Sequence, residues 1–194
     1  DGSAAIAAGF PFVRVLSEPR QGVVHARNRG FDAARGDIIG RIDADSLIAP
    51  NWVATLDELF TDPSLSLVTG KMHYYGLALS WLIDAVDLRI RRRMARLLGR
   101  EVAAQGANMA LRRSSWQDVR DHLCFAGGLH EDYDLAIHLA ERGKLIRFDE
   151  RLEVAISFRQ ADSPWRAFCI YAWLSPKTYG LHQLKSRRDR KSAV

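Results

Sequence analysis

Apolar runs suited to strands alternate with amphipathic segments suited to helices along most of this chain, and that alternation constrains its fold more than any other feature. DIIGRID, Asp37 to Asp43, reads as a buried strand and LSLVTGKMHYY, Leu65 to Tyr75, as another. FPFVRVLS, Phe10 to Ser17, suits a short strand, VAAQGANMALRR from Val102 an extended stretch, and Lys144 to Ser157 a strand pair. Gly22 to Gly36 reads as a helix closed by Gly36, and Ala49 to Pro63 as a helix with Pro50 at its start and Pro63 beyond its end. Between Leu79 and Leu98, apolar residues at Ile83, Val86, Ile90, Met94, Leu97 and Leu98 mark one face of a long helix. Ser114 to Leu123 predicts a short helix with a serine cap, Glu131 to Gly143 a helix ended by Gly143, and Pro164 to Leu184 a final helix interrupted at Pro176. This order predicts an α/β fold with a largely parallel sheet, a class that binds ligands outside the carboxyl ends of its strands.

With 194 residues, 47% of them hydrophobic, the chain suits one globular domain with a sizeable core. Cys124 and Cys169 are too few for a disulfide framework or a zinc site and predict buried thiols in a reducing compartment. No apolar run reaches the roughly 18 residues that cross a bilayer, and the first residues lack a signal-peptide layout, so the expectation is a soluble, cytoplasmic protein. Most of the net charge of +5 lies in KSRRDRKSAV, residues 185–194, which reads as a disordered basic tail after a domain spanning 1–184.

Asp43 and Asp45 stand one residue apart at the end of the DIIGRID strand. Alternating strand side chains would aim both carboxylates at one Mg²⁺ or Mn²⁺ that keeps open positions for phosphate oxygens. The plain alternative is that they cap the following turn, since D-x-D is common. Six histidines, at 25, 73, 122, 130, 138 and 182, form no H-x-x-x-H or H-E-x-x-H set, which argues against transition-metal hydrolysis. Asp134 and His138, one helical turn apart, read as a surface pair.

Four segments in order change the balance: DGS at Asp1 to Ser3, GVVHARNRGFDAARGDIIGRIDAD from Gly22, QGANMALRRSSW from Gln105, and HEDYDLAIHLAERG from His130. Together they resemble the family 2 glycosyltransferases, nucleotide-sugar enzymes of the GT-A fold, over nearly the whole chain up to Phe158. The resemblance implies that Asp1 reads the nucleotide base and that Arg27 faces the nucleotide. It implies that Asp45 is the direct ligand of a Mg²⁺ or Mn²⁺, with Asp43 nearer the ribose. Gly106 and Asn108 would line the pocket for donor sugar and acceptor. Asp132 would be the general base of an inverting displacement, with Glu131 orienting the acceptor or a neighbouring side chain.

Processive members of the family carry a Q-x-x-R-W segment; here FRQADSPWRAF holds Gln160, Trp165 and Arg166 in another order and spacing, which argues for single transfer. The implied partners are a nucleotide-sugar donor and a glycan or lipid-linked acceptor, as in the making of a cell-envelope polysaccharide. The helix carrying Arg89, Arg91, Arg92, Arg93, Arg96 and Arg100 either meets an anionic membrane surface as a peripheral contact or is a solvated face. In the family, a strand, a helix and a second strand precede DGS, so the expectation is an amino-terminally truncated GT-A domain. A non-catalytic remnant acting as a binding module is the alternative function. Nucleic acid is disfavoured, because no aromatic residues are interleaved with the basic runs.

Overall fold

The computed structural model describes residues 2–76, 80–97, 104–124 and 130–157. Asp1, Cys169, the expected final helix, the FRQADSPWRAF segment and the basic tail lie outside the described residues. The chain divides into two compact units, residues 1–35 and 36–194.

In the first unit, helix α1 (Ser3–Ala8) is followed by an irregular stretch and helix α2 (Val23–Ala33). The strand expected at 10–17 does not form; alternation marks a strand only where a neighbouring strand takes up its backbone groups, and among the described residues none pairs with it. Arg14 of this stretch instead donates a hydrogen bond to the carbonyl of Ala33 at the end of α2. Helix α2 closes there, three residues before Gly36, because Ala34 is already extended.

The second unit runs β1 (Ile38–Ile42), β2 (Leu47–Ile48), α3 (Trp52–Leu59), β3 (Leu65–Tyr75), α4 (Ser80–Leu97), β4 (Asn108–Arg112), α5 (Arg113–Val119), a 3-10 turn, α6 (Glu131–Glu141) and β5 (Leu145–Ser157). The sheet order is β1-β4-β3-β5-β2. The α/β class is as expected, and the direction of the strands refines it. β3 and β5 pair in parallel, whereas β4 pairs antiparallel with both β1 and β3, and β2 antiparallel with β5. β1, β3 and β5 therefore share one direction, and the sheet is mixed because β4 inserts between β1 and β3 against them. Alternation of strand and helix gives direction only where each helix carries the chain back to the same edge, and the path through α4 does not.

Packing follows helical and strand periodicity. Trp52, Leu56, Leu59 and Phe60 form one face of α3 and its end, closing over Leu65, Val68, Ala110, Leu152 and Val154 of the sheet. Each such side chain contributes about 1.5–3 kcal/mol on burial. Gly40 leaves room for this layer, since a Cβ there would lie 2.8 Å from the Trp52 ring. Helix α4 departs from expectation. Trp81, Leu82 and Val86 are exposed, so Val86 is not core. Among its described side chains, Asp84 accepts from the Tyr74 backbone at 3.0 Å and lies 3.1 Å from His73 Nδ1, while those of Ile83, Ile90, Met94 and Leu97 lie outside the described residues. Of its arginines, Arg89 and Arg93 are exposed, and Arg92 pairs with Glu150 at 2.8 Å.

Two more local expectations are corrected. α5 starts at Arg113 directly off β4 with no side-chain cap, so the serines lie inside it and Ser115 is buried. Lys144 to Ser157 is one strand rather than two, carrying an irregularity where Gly70 pairs with Asp149 but Lys71 pairs with Glu153. At that bulge β5 crosses so close to β3 that a Cβ on Gly70 would lie 1.9 Å from the Leu152 carbonyl oxygen. The Asn108 side chain supports the bulge: its Nδ2 donates to the carbonyls of Lys71 at 2.7 Å and Leu152 at 2.8 Å, and its Oδ1 accepts from Trp52 Nε1 at 2.9 Å. Buried carbonyls taken off the ladder thus regain partners.

Gly70→Ala is expected to lower the unfolding free energy by about 3 kcal/mol in a urea titration, because backbone must separate to admit the methyl group. Gly30→Ala, in helix α2 with open space around it, should raise it by about 0.5–1 kcal/mol. Equal midpoints for the two variants would contradict the close crossing.

Candidate functional site

At the carboxyl end of β1 the chain makes a tight turn. Ser46 N donates to the Asp43 carbonyl at 3.0 Å, and Asp43 N donates to Ser46 Oγ at 3.1 Å. Asp43 and Asp45 therefore sit on a turn rather than on the strand, and their placement does not come from strand alternation. Among the described residues, the turn is closed by backbone and the Ser46 hydroxyl, not by the Asp43 carboxylate. From the end of β3, the Tyr75 hydroxyl donates to the Asp45 carbonyl at 3.1 Å and ties down the far side of the turn.

Opposite lies the start of α6, where acidic residues are favoured by the helix dipole. Arg41, just before the turn, reaches Glu131 with both arms of its guanidinium: Nη1 to Oε2 at 2.8 Å and Nη2 to Oε1 at 2.5 Å. Both side chains are only 14% exposed. Burial works against the Arg41 charge, but the hydrogen bonds and charge of Glu131, with Asp132 and Asp43 nearby, outweigh it and hold its pKa above the ordinary value. Gly106 leaves room for this contact, since a Cβ there would lie 2.6 Å from the guanidinium carbon. The Gly106 N-H donates to Asp132 Oδ2 at 3.0 Å, and Tyr133 N donates to Oδ1 at 2.9 Å, so the Asp132 carboxylate is fixed.

The structure brings together Asp43, Asp45, Gly106, Glu131 and Asp132. Loss of solvation raises the pKa of Asp43; Arg41 pulls it down, and the negative charges of Asp45, Glu131 and Asp132 push it further up. Among the described residues, the Arg41 guanidinium feels the carboxylates of Glu131, Asp132 and Asp43. One residue expected here belongs to the core. Asn108 is fully buried and its amide serves the β5 bulge, so it supports the site from the core and does not line it. Glu131 is at the site and is held by Arg41. Arg27 belongs to the first unit, where it is buried and its guanidinium donates to Asn28 Oδ1. Asp1 lies outside the described residues. Sequence reasoning missed Arg41 and Tyr75; a lone arginine in the apolar run DIIGRID, two residues before a carboxylate pair, was the available signal for the first.

The profile of the family described as glycosyl transferase family 2 matches residues 1–120. The chain belongs to that family. No curated protein matches the sequence. A solved glucosyl-3-phosphoglycerate synthase from Mycobacterium tuberculosis, in complex with Mn²⁺, uridine diphosphate and phosphoglyceric acid, is similar at 23% identity and a TM-score of 0.52, over 84% of this chain and 53% of that one. A second structure of that synthase, with phosphoglyceric acid, is similar at 24% identity and a TM-score of 0.49, over 79% and 53%. This chain thus spans about half the length of those proteins. The first likeness is one of fold, and the fold of this family 2 chain is GT-A.

A raised pKa means that the folded family 2 domain holds the Asp43 proton more tightly than the unfolded chain. Ionisation of Asp43 therefore opposes folding: the penalty is absent below the ordinary value of 3.8 and complete above the raised folded value. Asp43→Asn should accordingly raise the metal-free thermal midpoint at pH 7, with the gain shrinking as pH is lowered toward 3.8. A lower midpoint at pH 7 would contradict the crowding of carboxylates.

Proposed function

We propose that this chain forms the catalytic part of an inverting glycosyltransferase that moves a sugar from a nucleoside-diphosphate sugar to a hydroxyl acceptor, one sugar per encounter. The observation that carries this reading is the convergence, across some ninety positions of sequence, of the Asp43–Asp45 turn with an Asp132 carboxylate held by two backbone N-H groups. Membership of family 2 supports the transfer chemistry, and the departure from Q-x-x-R-W at Gln160, Trp165 and Arg166 supports single transfer.

The donor set suits a hard divalent cation, because it is all carboxylate oxygen, and burial first, then the charges of Asp45, Glu131 and Asp132, raise the pKa of Asp43. Asp45 would hold a Mg²⁺ or Mn²⁺ with Asp43 beside it, and such an ion supplies charge neutralisation for the leaving diphosphate. Uridine diphosphate is the first nucleotide to try, since a solved protein of the same fold holds it with Mn²⁺. Asp132 removes the proton from the acceptor hydroxyl as that oxygen bonds to the anomeric carbon and the bond to the diphosphate oxygen breaks. Each Asp132 oxygen accepts one backbone hydrogen bond and keeps a second lone pair for that proton. Arg41 and Glu131 keep α6 in register with the turn, so that base and donor face one another. Asp1 and Arg27 are assigned to the nucleotide on the family resemblance.

In the wild-type protein, uridine diphosphate with Mn²⁺ should raise the thermal midpoint, and Asp45→Ala should abolish that shift. Asp132→Asn should keep the shift yet slow turnover of a uridine-diphosphate sugar by about 10²-fold to 10⁴-fold. Nucleotide binding unchanged in Asp45→Ala, or wild-type turnover in Asp132→Asn, would overturn the assignment.

A further inference from the structure

On the same helix that begins with Glu131 and Asp132, a second group of side chains is not used by the transfer chemistry. Asp134 and His138, expected on the surface, are buried, with side chains 1% and 9% exposed. Cys124, from the segment that follows α5, joins them. The ligand atoms of Cys124, Asp134 and His138 all lie within 4.8 Å of one another. Asp134 Oδ1 is 3.6 Å from His138 Nε2, and Cys124 Sγ is 3.9 Å from the same nitrogen. The other Asp134 oxygen accepts from Cys124 N at 2.9 Å, which fixes both groups in place.

We propose that Cys124, Asp134 and His138 form a binding site for a borderline-soft transition metal, Zn²⁺ or Co²⁺ in class. With Zn–S about 2.3 Å and Zn–N about 2.0–2.1 Å, a tetrahedral site has an S-to-N edge of about 3.6 Å and an O-to-N edge of about 3.3 Å. The observed separations, 3.9 and 3.6 Å, exceed these by only about 0.3 Å each. The remaining ring nitrogen, His138 Nδ1, faces Glu141 Oε2 at 3.5 Å, the arrangement of a carboxylate that orients a metal-binding imidazole. A thiol nucleophile activated by His138 fits less well, because Asp134 Oδ1, at 3.6 Å, lies nearer His138 Nε2 than the thiol sulfur, at 3.9 Å. Thiolate and imidazole also select against Mg²⁺ and Mn²⁺, which belong with the oxygen donors of the Asp43–Asp45 turn. The bound ion would clasp the segment ending at Cys124 to the helix that presents Asp132. The count of two cysteines hid this site, because its other donors are a carboxylate and an imidazole brought in by the fold.

Titration of the reduced protein with Co²⁺ tests the assignment. Wild type should develop the near-ultraviolet thiolate-to-cobalt absorption and the visible bands of a tetrahedral ion, and an equivalent of Zn²⁺ should bleach both. Cys124→Ser should lose the thiolate band. Glu141→Gln should weaken Zn²⁺ binding about tenfold by competition against a chelator. Asp45→Ala should leave the spectrum unchanged. Far-ultraviolet circular dichroism matching wild type shows that each variant is folded. A folded wild type without the band, or a band that survives in Cys124→Ser and so belongs to Cys169, would overturn the proposal.

Discussion

The bidentate pair between Arg41 and Glu131 is the contact on which the arrangement of this site depends. It joins the last residues of β1 to the first residue of α6, elements ninety positions apart, in a place where both side chains are largely shielded from water. Removing one partner of such a pair leaves a dehydrated charge behind, a loss of about 3–5 kcal/mol. The guanidinium lies in the space left open at Gly106, and that glycine's N-H donates to Asp132. One ion pair thereby ties the end of β1 to the start of α6, beside the backbone N-H that holds Asp132.

Beneath it, the core is arranged to hold strand ends rather than only to bury area. Asn108 joins β3, β4 and β5 with α3 by hydrogen-bonding Lys71, Leu152 and Trp52. Gly70 lets β5 cross β3 at van der Waals distance. The bulge displaces β5 midway along β3, and beyond it the strands continue to Tyr75, whose hydroxyl holds Asp45. Core and site are thus connected through specific polar contacts from Asn108 and Tyr75.

Much of this was legible in the residues. Strand β3 has the limits its apolar run implies, and Gly143 ends α6 in a left-handed conformation with Lys144 N reaching back to Leu139. Asp43, Asp45, Glu131 and Asp132 were visible as carboxylate pairs at a strand end and a helix start. What was not legible depends on partners distant in sequence. Phe10 to Ser17 has strand composition but pairs with no strand among the described residues. The antiparallel insertion of β4, the two-residue β2, and the burial of Asp134 and His138 follow from how segments meet, which local periodicity does not encode. Asn108 shows the same limit from the other side: a polar residue beside the site in sequence is a structural bond-maker once β5 bulges over it.

An anomalous difference map from crystals of the protein grown with Mn²⁺ and uridine diphosphate tests the central claim most directly. The account predicts a peak at direct coordination distance from an Asp45 carboxylate oxygen, beside Asp43, with diphosphate oxygens completing the shell. Nucleotide bound with no ion at that turn, or an ion held only by residues elsewhere, would contradict it.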